Sequence, residues 1–453
     1  MTDHVTRAYL KASAPEDSAL RHAVAQSVSA LPPALAASCA HRLLPRPMFA
    51  AEDEMNAIHG DLTDLFGLLT SLPQRLFGGD LGRFCEALGI DARKAAFMRR
   101  LGGGPPPLHG RADMYHDGDS LKLLELNLGS QLGGTDRAEL SRCLLEVDAF
   151  AAFADEHRLR YIHTGEVIAG VLREAAAPVA NGDAPVIALL EADGGLAPYL
   201  HLVRSFQEMM HRLGVDLRIG ELGQVRERGG KLHLDGTPVD LVLRYFSVDQ
   251  LCATPEGEAA VDPVYRAHRA GGTVLYTPLE SFLYGNKGTL ALLSDPLHRE
   301  AFSASEAALI DRVLPWTRVL TDGPTQVEGT TVDLLEHCRE WREQLILKPR
   351  GDFGGAGIVA GWECGEQEWK ERLLDCRDNG YVVQRRVVPR GEPVLDPRTG
   401  RTEDWIAVWD AFLTPHGHAG GHIRAVPVGS GEIVNMGTNP LCRTSGVFQY
   451  PAG

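Results

Sequence analysis

The residue types best suited to chemistry lie close together in Arg111-Ala112-Asp113 and in Leu123-Leu124-Glu125-Leu126-Asn127. Strand side chains alternate between faces, so Arg111 projects with Asp113, and Glu125 with Asn127. The stretch His116-Asp117-Gly118-Asp119-Ser120 between them predicts the turn of a β-hairpin. With the hairpin centred on Gly118, Arg111 faces Glu125, Asp113 lies one diagonal away, and all four side chains share one face. Carboxylate and amide oxygens are hard ligands suited to Mg2+, and an arginine beside them can hold a phosphate. A solvated hairpin face with an incidental salt bridge would use the same residues.

In the run from Leu347 to Gly357 (LKPRGDFGGAG), an apolar strand ending in Lys348 enters a glycine-rich turn. Glycine lets backbone N–H groups approach a polyphosphate, and Lys348 adds charge. The order is neither GxxxxGK[ST] nor GxGxxG, and a tight hairpin between two strands is the plainer reading. Tyr284-Gly285-Asn286-Lys287 reads as a loop entering a helix. A lysine there opposes the helix dipole, a conflict that a bound phosphate resolves. The segment Tyr381 to Val387 reads either as an edge strand or as a strand offering backbone groups to an adenine edge.

In this order the four elements resemble the circularly permuted ATP-grasp proteins, and among them the synthetase domain of glutathionylspermidine synthetases. The likeness covers residues 100 to 440. That family carries an Arg-x-Asp pair ahead of a Glu-x-Asn pair, then an Asn-Lys helix start, a Lys-Pro strand with a glycine loop, and a hinge strand containing Gln. Unpermuted relatives place the Glu-x-Asn strand after the hinge, so its early position here implies the permutation. The resemblance implies Asp113, Glu125 and Asn127 as Mg2+ ligands and Arg111 on the transferring phosphate. It further implies that Lys287 and Lys348 bind ATP phosphates and that the loop 351–357, with Gly354, Gly355 and Gly357, closes over them. The backbone from Gln384 through Arg385 to Val387 would read adenine. Arg385 and Arg386 stand where the family usually has an acidic ribose contact, which leaves that contact unassigned.

The implied reaction is formation of an amide or peptide bond between a carboxylate and an amine, through an acyl phosphate, with release of ADP and phosphate. Both substrates would be small molecules or peptides. A phosphotransferase, or a non-catalytic nucleotide-binding protein on the same fold, would carry the same ATP site. Arg424, and Val434 to Asn439, are further candidates for contact with the acceptor or the acyl phosphate; a surface arginine after a hairpin is the alternative. His416, His418 and His422 form an HxHxxxH pattern in a Gly-Pro loop, which reads as a solvated turn rather than a metal site.

These residues need a scaffold of α/β class. Residues 1–100 read as helical, with Leu62, Leu65, Phe66, Leu69 and Leu72 forming one apolar stripe. By the resemblance, residues 101–150 would form the permuted ATP-grasp segment with the metal-binding hairpin. Residues 151–283 form an α/β region like the domain that precedes ATP-grasp in unpermuted relatives, with strands expected at 186–191, 215–219 and 239–245 and a helix at 199–213. Residues 284–453 form the nucleotide-binding region, with strands at 345–348, 381–384 and 406–412.

The 453 residues carry a formal net charge of -15, which argues against a nucleic-acid partner. The apolar runs are too short to span a bilayer, and Met1 to His4 lacks the character of a secretory signal. Eight scattered cysteines without a CxxC pair fit reduced thiols in a cytoplasmic enzyme. The oligomeric state is left open.

Overall fold

The hairpin is present as β2 (Gly110–His116) and β3 (Leu121–Leu128), in a computed structural model that describes residues 3–102, 104–351, 355, 357–431 and 433–451. It forms one edge of the largest sheet. Beside β2 come β18 (Thr402–Thr414), β19 (Gly417–Pro427), β20 (Arg443–Tyr450) and β1 (Met48–Ala51), with β17 (Glu392–Leu395) also on β18. All these pairs are antiparallel except β1 with β20.

The hairpin register departs from a ladder centred on Gly118. Arg111 stands opposite Asn127 and Asp113 opposite Glu125, two residues from the expected pairing. The reason is a bulge. Pairing runs regularly from His116–Leu121 to Met114–Leu123, and then Leu124 is passed over. A regular ladder would have set Asp113 against Leu124 and turned Glu125 to the other face. The extra residue restores the parity that brings all four polar side chains together.

A second sheet is wholly parallel, in the order β10 (Val274–Tyr276), β9 (Leu241–Arg244), β4 (Val186–Glu191), β5 (Asp216–Glu221). Its strands are almost continuously apolar because helices Thr164–Ala180 and Leu200–Arg212 cover one face through Leu172, Phe206 and Met210, while the main core takes the other. The expected strand 239–245 divides into β8 (Thr237–Val239) and β9. A small sheet of β6 (Val225–Arg228), β7 (Lys231–Leu234) and β8 hangs from it.

A third sheet is antiparallel, in the order β11 (Thr317–Val319), β16 (Tyr381–Arg385), β14 (Leu345–Pro349), β15 (Val359–Ala360). Helices Leu334–Glu340 and Glu366–Asp378 pack on it through Cys338, Trp369 and Leu373. The short hairpin of β12 (Pro324–Val327) and β13 (Thr330–Asp333) lies between β11 and the first of these helices.

The N-terminal hundred residues are mainly helical. The 26-residue helix Glu52–Phe77 buries Leu62, Leu65, Leu69 and Leu72 completely in the main core. Each such leucine contributes roughly 2 kcal/mol of transfer free energy. The helical reading has one exception: β1 lies in this region and pairs with β20 near the other end of the chain. Four residues are too few for a periodic signal, and this strand is defined by its partner.

Candidate active site

Antiparallel neighbours directly opposite each other share a face, and this places one polar row across four strands. Glu125 and Asn127 come from β3, Arg111 and Asp113 from β2, Asp410 from β18, and His422 and Arg424 from β19. Asp410 faces Asp113 on one side and His422 on the other.

The two arginines and two aspartates interleave. Arg111 donates from Nε to Asp113 Oδ1 at 2.7 Å and from Nη2 to Oδ2 at 2.9 Å. Arg424 donates from Nη2 to Asp113 Oδ2 at 2.7 Å and to Asp410 Oδ1 at 2.6 Å, and from Nε to Asp410 Oδ2 at 2.7 Å. Arg111 Nε lies 3.5 Å from Asp410 Oδ1, and His422 Nε2 lies 3.2 Å from Asp410 Oδ2. Burial opposes the Asp113 charge, but Arg111 and Arg424 outweigh it and hold this carboxyl well below the usual range. Burial also acts on Asp410 and, with the neighbouring Asp113 charge, holds it above that range despite Arg424. Burial, reinforced by the two arginines, keeps His422 neutral.

Lys348, at the end of β14, is buried. Its Nζ donates to Gln384 Oε1 on β16 at 2.7 Å and to the carbonyl of the bulged Leu124 at 3.1 Å. Burial, with some repulsion from Lys287, pushes its pKa down to about 8 against the attraction of Glu125. Lys287 opens the helix Lys287–Ser294, where Asn286 caps the helix by accepting from Gly288 N at 2.8 Å. Its Nζ lies 3.1 Å from Glu125 Oε2, so a carboxylate answers the charge at this helix start.

Of these groups Arg111, Asp113, Glu125, Asn127, Lys348, Gln384 and Arg424 line one cavity of about 470 Å³, while Asp410, His422 and Lys287 stand outside its lining. Arg111, Asp113, Glu125 and Asn127 form one wall, and Lys348 with Gln384 to Val387 forms another. Arg424, Val434 and Asn435 close the side toward β19, Arg244 faces in from the parallel sheet, and Gln250 from the helix Val248–Ala253. Gly355 also lines the cavity, with φ +76°, whereas Gly357, at φ +69°, turns toward Tyr381. Lys287 reaches the site through Glu125. Gly354 lies outside the described residues. In the hinge segment, the backbone N–H of Arg385 donates to Trp316 O and that of Arg386 to Gln344 O, so these two donors serve the protein itself.

The face fits Mg2+. Asn127 Nδ2 lies 3.4 Å from Asp113 Oδ1 and 3.5 Å from Glu125 Oε1, so three oxygen-bearing side chains converge. A half-turn of the Asn127 amide presents Oδ1 to the same point, completing a hard-oxygen donor set.

Asp410 and His422 were not among the candidate site residues. A single carboxylate inside Val408-Trp409-Asp410-Ala411-Phe412 is the signal that points to Asp410, since a charge in a buried strand needs a partner. The histidine pattern also differs from a solvated turn. Only His416 is exposed, paired with Glu174 at 2.6 Å. His418 is half-buried, with both ring nitrogens out of solvent, and stacks on His59 with ring centroids 3.3 Å apart, while buried His422 belongs to the polar row.

The chain is similar to a solved glutathione-synthetase-like effector from Globodera pallida in its apo form: TM-score 0.57, 14% identity, 90% of each chain covered. A structure from Methylobacillus flagellatus KT, provisionally named a gamma-glutamylcysteine synthetase, gives TM-score 0.42 and 14% identity over 83% of this chain and 85% of that one. The first likeness is one of fold, and it makes this an α/β chain of glutathione-synthetase-like architecture. No protein-family model and no curated protein matches the chain.

Proposed function

We propose that the chain is an ATP- and Mg2+-dependent carboxylate–amine ligase on a circularly permuted ATP-grasp fold, joining its substrates through an acyl phosphate. One observation carries this reading: the Arg111–Asp113–Glu125–Asn127 face and the Lys348–Gln384 strand pair, far apart in sequence, share a single cavity. The bond from Lys348 to Leu124 O ties the hairpin directly to the strand that follows it by more than two hundred residues. That order, with the metal face first and the hinge strand later, supports the permutation. A glutathione-synthetase-like fold accords with a ligase.

In this reading Lys348 and Lys287 hold the phosphates of ATP, and Arg111 and Arg424 face the transferring phosphoryl group. Mg2+ bound by Asp113, Glu125 and Asn127 would neutralise phosphate charge. Phosphoryl transfer rests on positioning and charge, which this set supplies without a protein nucleophile. Asp410 fixes the direction of Arg424, and through it the spacing of the two guanidiniums. The glycine turn at 351–357 would exclude water from the acyl phosphate. The substrate acid and amine are small molecules or peptides, and a cytoplasmic setting, where ATP and reduced thiols coexist, goes with the eight free cysteines.

The test is nucleotide product analysis with MgATP, pooled carboxylic acids and amino acids, and hydroxylamine in place of the amine. Acid-dependent ADP with a hydroxamate is the expected result. AMP and pyrophosphate would replace the mechanism with adenylation. Glu125→Gln and Lys348→Met should each lower turnover by about two orders of magnitude or more. Wild-type rates in both variants would sink the assignment.

A further inference from the structure

We infer that Arg42, a residue outside the cavity, positions the cavity wall formed by Val434 and Asn435. The inference rests on the nucleotide reading of that cavity. Arg42 ends the helical turn Ala40–Arg42, and the chain just after it is fixed on β20: Leu44 N donates to Thr444 O at 2.9 Å, and β1 follows in parallel pairing. From this anchored point the guanidinium reaches the loop between β19 and β20. It donates from Nη1 to Met436 O at 2.5 Å, from Nη2 to Asn439 O at 2.5 Å and from Nε to Cys442 O at 3.0 Å.

The loop is built to receive it. Asn435 Oδ1 accepts from Gly437 N at 2.6 Å and Thr438 N at 3.2 Å, while its carbonyl accepts from Asn439 N at 3.0 Å. These bonds close a tight turn, and three carbonyls of the loop converge on Arg42. Among the described residues Arg42 forms no ion pair, so its charge is directed wholly at this loop. Hydrogen bonds from a charged donor are stronger than neutral ones, and three from one rigid fork fix orientation as well as distance. The same turn sets the cavity wall: Val434 and Asn435 line it, and a Cβ added at Gly355 would stand 3.2 Å from Asn435 Nδ2, so Gly355 rests against Asn435. The N-terminal segment thus braces this side of the cavity. Arg42 is a positioning residue.

Amide hydrogen exchange across 434–442 and calorimetric titration with MgATP, on wild type, Arg42→Lys and Arg42→Ala, test this. In Arg42→Ala the amides of Gly437, Thr438 and Asn439 should exchange about tenfold faster, and MgATP should bind about tenfold more weakly. Arg42→Lys keeps the charge but not the fork, and should fall between on both scales. A merely structural role would shift the melting temperature without this graded loss of affinity. Exchange unchanged in the loop, or MgATP affinities of all three proteins within about twofold of one another, overturns the proposal. If Arg42→Ala does not fold, Arg42→Lys decides by the same two readouts. If wild type itself fails to bind MgATP, the ligase reading falls, and with it the role at a nucleotide wall; exchange then shows only whether Arg42 holds the loop.

Discussion

Asp410 carries a charge in the middle of a strand whose flanking buried residues, Val408 and Phe412, are apolar, and the arginines on both sides explain it. Asn is nearly isosteric but neutral, so Asp410→Asn leaves Arg111 and Arg424 sharing the single charge of Asp113. Removing one partner from a buried ionic set costs about 3–5 kcal/mol, but burial already holds the Asp410 carboxyl above its usual range and the neutral amide escapes that burial cost. Urea unfolding of Asp410→Asn should therefore show a smaller loss, about 1–2 kcal/mol. Lys348 offers a second test at this scale. Its folded pKa of about 8 lies below the ordinary lysine value of 10.5. The stability associated with this depressed value is fully present above 10.5 and lost as pH falls through 8. Wild type should therefore gain up to about 3 kcal/mol relative to Lys348→Met between pH 8 and 10.5, and a flat difference would place Lys348 in a wetter setting. The same titration makes phosphate binding weaker above pH 8, where the lysine of the free protein is neutral.

Among the elements, the loop after β3 packs closely against the polar row. Gly134 has φ +88°, and a Cβ there would come within 2.4 Å of His422 Cε1. Gly134→Ala should therefore cost about 2–4 kcal/mol in urea unfolding, from left-handed strain together with displacement of the ring behind Asp410. Gly133→Ala, with nothing within 4 Å of its added Cβ, should stay within about 0.5 kcal/mol of wild type. Equal effects would mean that the loop yields freely. The hairpin shows how far such detail was legible in the sequence. Alternation and turn residues located β2 and β3 and grouped Arg111, Asp113, Glu125 and Asn127 on one face. The pairing within that face was not legible, because the bulge at Leu124 is set by packing and by its carbonyl bond to Lys348, more than two hundred residues away. β1 was missed for the same reason, since among the described residues its regular partner is β20. Strands whose burial is two-sided, such as β4 and β14, were read nearly to the residue because continuous apolar runs need no knowledge of the partner.

At the scale of the molecule, buried imidazoles tie distant parts of the chain together and set its response to acid. His59 on the N-terminal helix Glu52–Phe77 stacks on His418 of β19, and His109 beside β2 meets the Tyr276 hydroxyl of β10 at 3.0 Å. Burial pushes His59 and His109 down to about 4 and His418 to about 3, from the ordinary 6.5. A base held neutral in this way contributes stability that is present above pH 6.5 and lost as pH falls through the folded values. Each of the three takes up a proton on unfolding between pH 6.5 and 4, and each then adds about 1.4 kcal/mol per pH unit to the slope of stability. Glu191 and Glu280, raised by burial, act in the opposite direction above the ordinary glutamate value, so the total slope mixes several groups. A difference measurement isolates one of them. His418→Leu should reduce the pH slope of unfolding free energy by about 1.4 kcal/mol per unit across this window. The cavity it opens is a constant offset that does not depend on pH. An unchanged slope would mean that His418 is already exposed to water in the native state, and the stacked pair would then not be what joins the N-terminal helix to the sheet carrying the site.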